Sequence, residues 1–341
     1  MLKENIEFIK ENTKQTVDLV TFAIPVYNAE NYIEKTMLSA LNQTYPHIEF
    51  LIVDDRGTDS TMKIIENIVA THPRGKHIRI VKHPSNIGIG AGRNTAIEQA
   101  NGKYLFFMDN DDTVTPDCIQ KLYDKMLKTD VDFVCGSHNE VEKGKIRIRS
   151  NNFIEKDKKQ IILSYFDSRK FPSIATWNKL FKVSFLRENN IRCVPHQITE
   201  DWYFTFQLLL HAQSYCVIPD ITYSYLYCHS LENKSKEWFH VLYRQLVEIS
   251  GDSVEYLRKS PLEASLKRKI KIKLFTLRLY MSRAVLKPGY QEYITDFLNP
   301  AFLKDKDIFR SITLMCAYIF SNMPLFVKKA GLHIVSIIKN L

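Results

Sequence analysis

The chain has 341 residues, of which 25% are charged and 45% are hydrophobic. This composition is typical of globular proteins, and 11 glycines and 12 prolines are too few for a collagen-like or low-complexity chain. The net charge of +9 belongs to the last third, because residues 235–341 hold 18 basic and 9 acidic side chains while the preceding residues are balanced. Such a basic region predicts contact with an anionic surface, with a solvated helical face as the alternative.

The six cysteines form no CxxC pair and have no metal-ligand spacing, which predicts buried thiols in a reducing compartment. No stretch approaches the ~18 uninterrupted apolar residues of a membrane-spanning helix, and the N-terminal residues lack the apolar core of a signal peptide. We therefore expect a cytoplasmic protein, either soluble or attached to the inner face of the plasma membrane.

Residues 1–140 alternate short β-rich segments with segments of helical period, which predicts an α/β domain with a mainly parallel sheet. The predicted strands are Leu19–Ile24, Phe50–Val53, Ile78–Val81, Tyr104–Met108 and Phe133–Cys135. The predicted helices are Asn31–Leu41, Ser60–Ala70, Gly92–Ala100 and Pro116–Lys128, the last with Thr115 as its cap. Ligands of such sheets bind at the carboxyl ends of the strands, where this sequence places its polar residues.

The pattern changes after Glu140 to a basic hairpin-like stretch, a short helix near Lys158–Phe166 and a helix that opens at Glu200–Asp201. Two strands follow, at Tyr215–Ile218 and Ile221–Tyr227. Residues 235–341 are nearly all of helical period, with Lys and Arg between apolar positions and with breaks at prolines. This predicts an α-helical C-terminal module.

The strand Tyr104–Met108 ends abruptly in Asp109, Asn110, Asp111 and Asp112. A buried strand cannot continue into unpaired charge, so these acids lie at its solvent-facing end. Carboxylates this close repel one another unless a cation lies between them, and a hard divalent ion such as Mn²⁺ or Mg²⁺ suits oxygen ligands. A solvated turn with Asp112 as a helix cap is the alternative without a metal.

Four motifs follow one another in a fixed order. They are Val20–Asn28, Leu51–Thr61 with its paired aspartates, Asn86–Asn94, and the acidic run Asp109–Asp112. The series resembles glycosyltransferase family 2, the inverting nucleotide-sugar enzymes with the Rossmann-like GT-A fold. The resemblance covers roughly Leu19 to Ser230 and implies a GT-A catalytic domain over residues 1–234, followed by the helical module over 235–341. Within that domain it implies a nucleotide-binding half over about 16–140 and an acceptor half over about 141–234.

The resemblance also implies roles for individual residues. The nucleotide of a UDP-sugar would be held by Pro25, Tyr27, Asp54, Asp55, Arg93, Asp109 and His229. Asp111, with Asp109, would bind the metal, and Asp201 would act as general base. The donor sugar or the acceptor would be contacted by Trp177, Asn178, Lys179 and Glu200, although a core role fits Trp177 equally well.

These roles imply an inverting, metal-dependent hexosyl or N-acetylhexosaminyl transferase, which extends a surface glycan by attack of an acceptor hydroxyl on a UDP-sugar. The acceptor would be a polysaccharide, a lipid-linked glycan or a glycoprotein. A sugar-phosphate nucleotidyltransferase is one alternative, but it normally has a Gly-rich loop where this chain has Pro25–Ala29. A non-catalytic basic membrane adaptor is the other. We expect no nucleic-acid partner, and expect the C-terminal helices to bind membrane or to form a homo-oligomer.

Overall fold

The computed structural model describes residues 17–167, 173–226 and 235–281, with side chains described up to residue 274. The chain divides into two compact units, neither of which is one continuous segment. The first holds the described residues up to Phe153 together with Trp177–Asn190 and Cys216–Leu226. The second holds Ile154–Thr176, Ile191–Tyr215 and the described residues from 235 onward. The domain boundaries near residues 140 and 234 stay predictions.

The first unit is built on a sheet flanked by helices. Its strands are β1 Val20–Val26, β2 Ile48–Asp54, β3 Ile78–Lys82, β4 Tyr104–Phe107, β5 Thr113–Val114, β6 Phe133–Glu142, β7 Lys145–Arg149, β9 Lys179–Lys182 and β10 Tyr215–Leu226, the last from Cys216 onward. Strand β8, Phe153–Glu155, has only its first residue in this unit. Its helices are α1 Ile33–Leu41, α2 Thr61–Thr71, α3 Ile89–Gln99, α4 Cys118–Thr129 and α6 Val183–Glu188, with a short 3-10 helix at Gly75–His77.

Strands β3, β2, β1 and β4 are neighbours in that order and run parallel. The sheet continues through β9, β6, β10 and β5, with antiparallel pairing of β4 to β9, β9 to β6, β10 to β5 and β6 to β7. Every residue of β1 is buried, as in a strand covered on both faces. The parallel order brings the carboxyl ends of the first four strands to one edge, where the polar loops lie.

The structure confirms the predicted α/β architecture, and its first four strands and four helices occur in the predicted order. The two strands predicted within residues 215–227 form the single strand β10. The prediction that Thr115 caps α4 is wrong, because α4 begins at Cys118 after Asp117. The Thr115 amide instead donates to the Thr222 carbonyl, which fixes Thr115 to β10.

The second unit contains helices α5 Lys158–Ser164, α7 Glu200–His211, α8 Lys236–Lys259 and α9 Ala264–Met281. Aromatic contacts join them, as between Tyr165 and Phe206, whose ring centroids lie 5.4 Å apart. His211 Nε2 on α7 lies 2.7 Å from the Tyr256 hydroxyl on α8. None of the helices described is long and apolar enough to cross a membrane. The four described cysteines, Cys118, Cys135, Cys193 and Cys216, are buried free thiols, as predicted.

Candidate active site

The loop after β1 is held in an unusual backbone conformation next to the end of β2. Asn28 has φ +44°, and its side-chain Oδ1 accepts a hydrogen bond of 2.8 Å from the Thr58 amide. A Cβ atom on Gly57 would lie 2.8 Å from the Asn28 amide nitrogen, so only glycine fits there. This packing leaves the Tyr27 side chain 45% exposed at the edge of the sheet, where it is available to stack on a planar ligand.

The paired aspartates after β2 differ in their surroundings. Both are buried, at 3% exposure each. Asp54 Oδ1 accepts from the Arg56 amide at 2.8 Å, a contact within its own turn. Asp55 accepts from the Ile87 and Gly88 amides, each at 2.9 Å. The Asp55 carboxylate therefore already accepts hydrogen bonds from the loop that precedes α3. Its predicted contact with the nucleotide stays a prediction.

Helix α3 brings Arg93 to the acidic loop. Gly88, with φ +87°, directly precedes the helix in a backbone conformation that favours glycine. A Cβ atom on Gly92 would lie 3.0 Å from Pro25 Cβ, so the helix packs closely on the end of β1. One turn of helix places the buried Arg93 guanidinium 2.7 Å from Asp109 Oδ1. Arg93 thus braces an acidic residue of the loop, and its predicted contact with the nucleotide stays a prediction.

The acidic loop Asp109–Asp112 is fixed by side chains from distant parts of the first unit. Asn110 Nδ2 donates to the Tyr27 carbonyl at 3.3 Å, and Thr36 Oγ1 donates to the Asp112 carbonyl at 2.9 Å. The Tyr223 hydroxyl donates to Asp112 Oδ2 at 2.6 Å and accepts from the Asp109 amide at 3.1 Å. The loop is consequently anchored to β1, α1 and β10 at once.

Asp112 is a buried structural carboxyl group, not the solvated helix cap considered from the sequence. It is 0% exposed, and its Oδ1 accepts from the Leu226 amide at 2.7 Å. Burial, together with the negative charges of Asp109 and Asp111, raises the pKa of Asp112 to about 9. The crowding of three acids in one short turn therefore disfavours the ionised form of Asp112, and a bound cation would relieve this repulsion.

The carboxylate oxygens of the acidic loop suit a hard divalent cation only if oxygen atoms of the substrate complete its coordination. Asp109 and Asp111 offer carboxylate oxygens, which Mg²⁺ and Mn²⁺ prefer. Within the described residues, no three His, Cys, Asp or Glu side chains are grouped so that they alone could hold a metal ion. Two carboxylates would leave coordination positions for the phosphate oxygens of a substrate and for water.

The predicted sugar-contacting residues of the first unit lie in its interior. Trp177 is 6% exposed and stacks on Tyr223, with ring centroids 4.6 Å apart and an interplanar angle of 7°. Asn178, with φ +57°, donates to the Gly136 and Ser137 carbonyls and accepts from Thr222 Oγ1. Lys179 is 2% exposed. These contacts favour the core role considered for Trp177, and the sugar contacts of all three residues stay predictions.

Glu200 and Asp201 begin helix α7 of the second unit, as the sequence predicted. Glu200 is 5% exposed, and Asp201 is partly exposed. The chain before the helix is held by two glutamines: Gln207 Nε2 donates to the Arg192 carbonyl at 2.7 Å, and Gln245 Oε1 accepts from the Ile198 amide at 2.7 Å. Asp201 therefore lies in the first turn of a helix whose preceding segment is held in place by these hydrogen bonds. His229 lies outside the described residues.

Three residues that support the site were not predicted from the sequence. They are His83, which contacts Asp55, and Thr36 and Tyr223, which hold the acidic loop. A weak signal existed for His83, since it directly follows β3 at the carboxyl edge of the sheet. Nothing in the local sequence marks Thr36 or Tyr223, because their partners are 76 and 111 residues away.

Sequence comparison identifies the family. Residues 21–189 match the sequence model of the family described as Glycosyl transferase family 2. An uncharacterized glycosyltransferase of Haemophilus influenzae is 31% identical over 176 residues, which are 51% of this chain and 67% of that protein. The chain belongs to glycosyl transferase family 2.

Other relatives are longer proteins. The glycosyltransferase GlyA of Streptococcus pneumoniae is 26% identical over 236 residues, which cover 66% of this chain but 33% of GlyA. The poly(ribitol-phosphate) beta-glucosyltransferase of Bacillus spizizenii is 28% identical over 260 residues, which cover 74% of this chain and 38% of that enzyme. This chain thus spans about a third of the length of these two relatives.

Solved structures show the same fold. Residues 1–349 of TarS from S. aureus, in a crystal structure with UDP-GlcNAc, align with a TM-score of 0.67 over 84% of this chain and 80% of TarS 1–349. The sequences are 20% identical in that alignment. The similarity confirms the predicted GT-A fold.

Proposed function

We propose that this glycosyltransferase moves a sugar from a UDP-sugar to a hydroxyl group of a growing surface glycan, with inversion at the anomeric carbon and with Mn²⁺ or Mg²⁺ as cofactor. The observation that carries the proposal is the acidic loop. Its Asn110 amide is bonded to the Tyr27 carbonyl and its Asp109 carboxylate to Arg93. An exposed aromatic ring, a guanidinium and two carboxylates are the groups needed for a nucleoside diphosphate and its metal.

The residues of the first unit would bind the donor. The Tyr27 ring and the Asp54 carboxylate would contact the base and ribose. A divalent ion on Asp111 and Asp109 would supply positive charge that stabilises the diphosphate as it leaves. Arg93 would hold the Asp109 carboxylate in place, because its guanidinium lies 2.7 Å from Asp109 Oδ1.

Asp201 would act on the acceptor. Its carboxylate would take the proton from the attacking hydroxyl as the new glycosidic bond forms at the anomeric carbon and the bond to the UDP oxygen breaks. One in-line displacement inverts the configuration and needs no enzyme nucleophile. Glu200 would orient the acceptor beside it, and His229 would reach the diphosphate.

The glycan class is supported by the relatives. Besides the Bacillus spizizenii enzyme for poly(ribitol-phosphate), a chondroitin synthase of Escherichia coli is 38% identical over 129 residues, which are 38% of this chain and 18% of that protein. We therefore propose a polysaccharide, lipid-linked or glycoprotein acceptor. The basic residues 235–341 would bind an anionic membrane or a second subunit.

Incubation of the protein with single UDP-sugars, with Mn²⁺, Mg²⁺ or EDTA, tests the proposal through UDP release. We expect slow hydrolysis of one donor with either metal and none with EDTA. Formation of a nucleotide sugar from a sugar phosphate and UTP, without UDP release, would favour the nucleotidyltransferase alternative. Thermal stabilisation by UDP only when a metal is present provides a readout that is independent of turnover.

A further inference from the structure

Strands β6 and β7 form a tight, well-defined hairpin whose outer strand is open to solvent. Glu142 pairs with Lys145, so Lys143 and Gly144 alone form the turn. Both have positive φ, +47° and +78°, which is the backbone of a type I′ turn and matches the twist of the strands. All five residues of β7 are exposed, and β7 is paired only with β6 among the described strands.

One face of this hairpin is apolar and uncovered. Ile146 lies opposite Val141 in the register, and Ile148 lies opposite Asn139. The two isoleucines are 65% and 64% exposed, more than any other large apolar side chain that the structure describes. An exposed apolar strand at a sheet edge is a site of association or aggregation unless something covers it.

The other face and the turn are basic. Arg147 and Arg149 both contact Glu140, with nitrogen to oxygen distances of 3.3 and 3.0 Å. Two guanidinium groups thus share one carboxylate, and Lys143 and Lys145 add two further positive charges against Glu142. The segment 140–149 carries four basic and two acidic residues, so its surface favours an anionic partner.

A second copy of the chain does not suit this edge. Antiparallel pairing of β7 with itself would bring Lys145, Arg147 and Arg149 of one copy against the same three cations of the other, and like charges on paired strands repel. An acidic glycan would match the charge but would leave the isoleucines in water. A lipid surface with anionic headgroups satisfies both faces, because the isoleucines enter the acyl boundary while lysines and arginines stay at the headgroups.

We propose that the β6–β7 hairpin is a membrane-contact site for anionic lipid, with Ile146 and Ile148 inserted and the neighbouring basic side chains on the headgroups. The type I′ turn holds the hairpin in its binding conformation, so little ordering is needed on contact. The site would act independently of residues 235–341, and its existence does not depend on the donor or acceptor of the enzyme.

Co-sedimentation of the full chain with vesicles tests this site. Vesicles of phosphatidylcholine with 30% phosphatidylglycerol are compared with pure phosphatidylcholine, at low and at high salt. The variant I146S/I148S removes the apolar contact, and K143Q/K145Q removes two charges. The matched control is L38S/L127S, which changes two other exposed leucines, on α1 and α4, that are 40% and 45% exposed. Sedimentation velocity without vesicles gives the oligomeric state of each protein.

We expect the wild type and L38S/L127S to bind anionic vesicles alike and pure phosphatidylcholine poorly. I146S/I148S should bind anionic vesicles at least ~10-fold more weakly than wild type. K143Q/K145Q should lose about fivefold in affinity per lysine at low salt and less at high salt.

Wild type that does not bind anionic vesicles, or I146S/I148S that binds them as well as wild type, would overturn the proposal. So would a wild-type dimer that I146S/I148S converts to a monomer, since a second copy would then cover the face. UDP release without vesicles should be equal in all four proteins, and its complete absence would count against the proposed function alone.

Discussion

Asp55 Oδ1 lies 2.7 Å from His83 Nδ1, and the side chains are only 5% and 6% exposed. The second ring nitrogen of His83, Nε2, lies 2.9 Å from Thr95 Oγ1 on α3. With Nδ1 as donor to the carboxylate, Nε2 accepts from the threonine hydroxyl, so both ring nitrogens are satisfied in one tautomer. Through Asp55, His83 therefore holds the Ile87 and Gly88 amides, and with them the start of the helix that carries Arg93.

His83→Ala should raise KM for the UDP-sugar by about tenfold or more while changing kcat less. The reason is that loss of a buried hydrogen bond to a charged group costs roughly 1.5–3 kcal/mol, and the loop that would be displaced is the one proposed to bind the donor. His83→Asn, whose amide can replace Nδ1–H, should restore much of the affinity. Steady-state kinetics of the three proteins provide the check. Equal KM values in folded wild type and His83→Ala would show that this contact does not position the donor site.

Tyr223→Phe should lower both stability and turnover. Phenylalanine keeps the ring on Trp177 and removes only the hydroxyl, which bonds Asp112 Oδ2 and the Asp109 amide. The buried partners then lose a hydrogen bond, at a cost of about 1–3 kcal/mol in the free energy of unfolding. Urea unfolding and kcat measured on the same preparation test this. A fall in stability with unchanged kcat would mean that the acidic loop keeps its catalytic shape without the hydroxyl.

The parts of this fold that were predictable are those governed by short-range patterns. Strands β1 to β4 are short apolar segments bounded by polar loops, and α1 to α4 have apolar residues at helical spacing, so their order and type follow from the sequence. The acidic loop was predictable for a similar reason, because charge directly after a buried strand must lie at its end. The resemblance then assigned the family.

The remaining features depend on contacts between residues far apart in the sequence. Asn178 is a predicted contact of the sugar or the acceptor, and the sequence did not show that its amide also holds residues 136, 137 and 222. Threonine is a residue type that often caps helices, yet the hydrogen bond from the Thr115 amide to the Thr222 carbonyl places Thr115 beside the sheet. Local propensity cannot reveal such partners. The division into two discontinuous units was hidden for the same reason.

Asp111→Ala should abolish transferase activity and the metal dependence of UDP binding. Asp112 is unsuited to hold the cation, since Tyr223 and Leu226 engage both of its oxygens, and Asp111 is the principal ligand proposed from the acidic loop. Calorimetric titration of UDP with and without Mn²⁺ checks the binding part without relying on turnover. Asp117→Asn is a suitable control, because Asp117 is a surface residue of the same unit paired with Lys121. Mn²⁺-dependent UDP affinity that survives in Asp111→Ala would exclude Asp111 as the principal ligand.

Asp201→Asn should leave UDP-sugar affinity intact and reduce kcat by at least ~10²-fold, as expected for loss of a positioned base. Asparagine preserves the size and the helix start but cannot accept the proton. Glu200→Gln is the neighbouring control, because it removes the adjacent charge at the same helix end. Single-turnover transfer and UDP-sugar titration separate chemistry from binding. Near-normal turnover in Asp201→Asn, with a large loss in Glu200→Gln, would transfer the base role to Glu200.

The stability of the first unit should fall with acid through His138. Burial, reinforced by the positive charge of Lys179 and opposed by Glu140, lowers the pKa of His138 from its ordinary 6.5 to about 4. Between pH 4 and pH 6.5 the His138 imidazole is therefore protonated in the unfolded chain but not in the folded chain. The free energy of unfolding that is present above pH 6.5 is accordingly lost as the pH falls toward 4. At about 1.4 kcal/mol per pH unit, wild type should lose about 2 kcal/mol more than His138→Gln between pH 7 and pH 5. Urea unfolding of both proteins at the two pH values measures this difference. Parallel pH profiles would show that His138 is solvated or is paired as a cation in the folded protein.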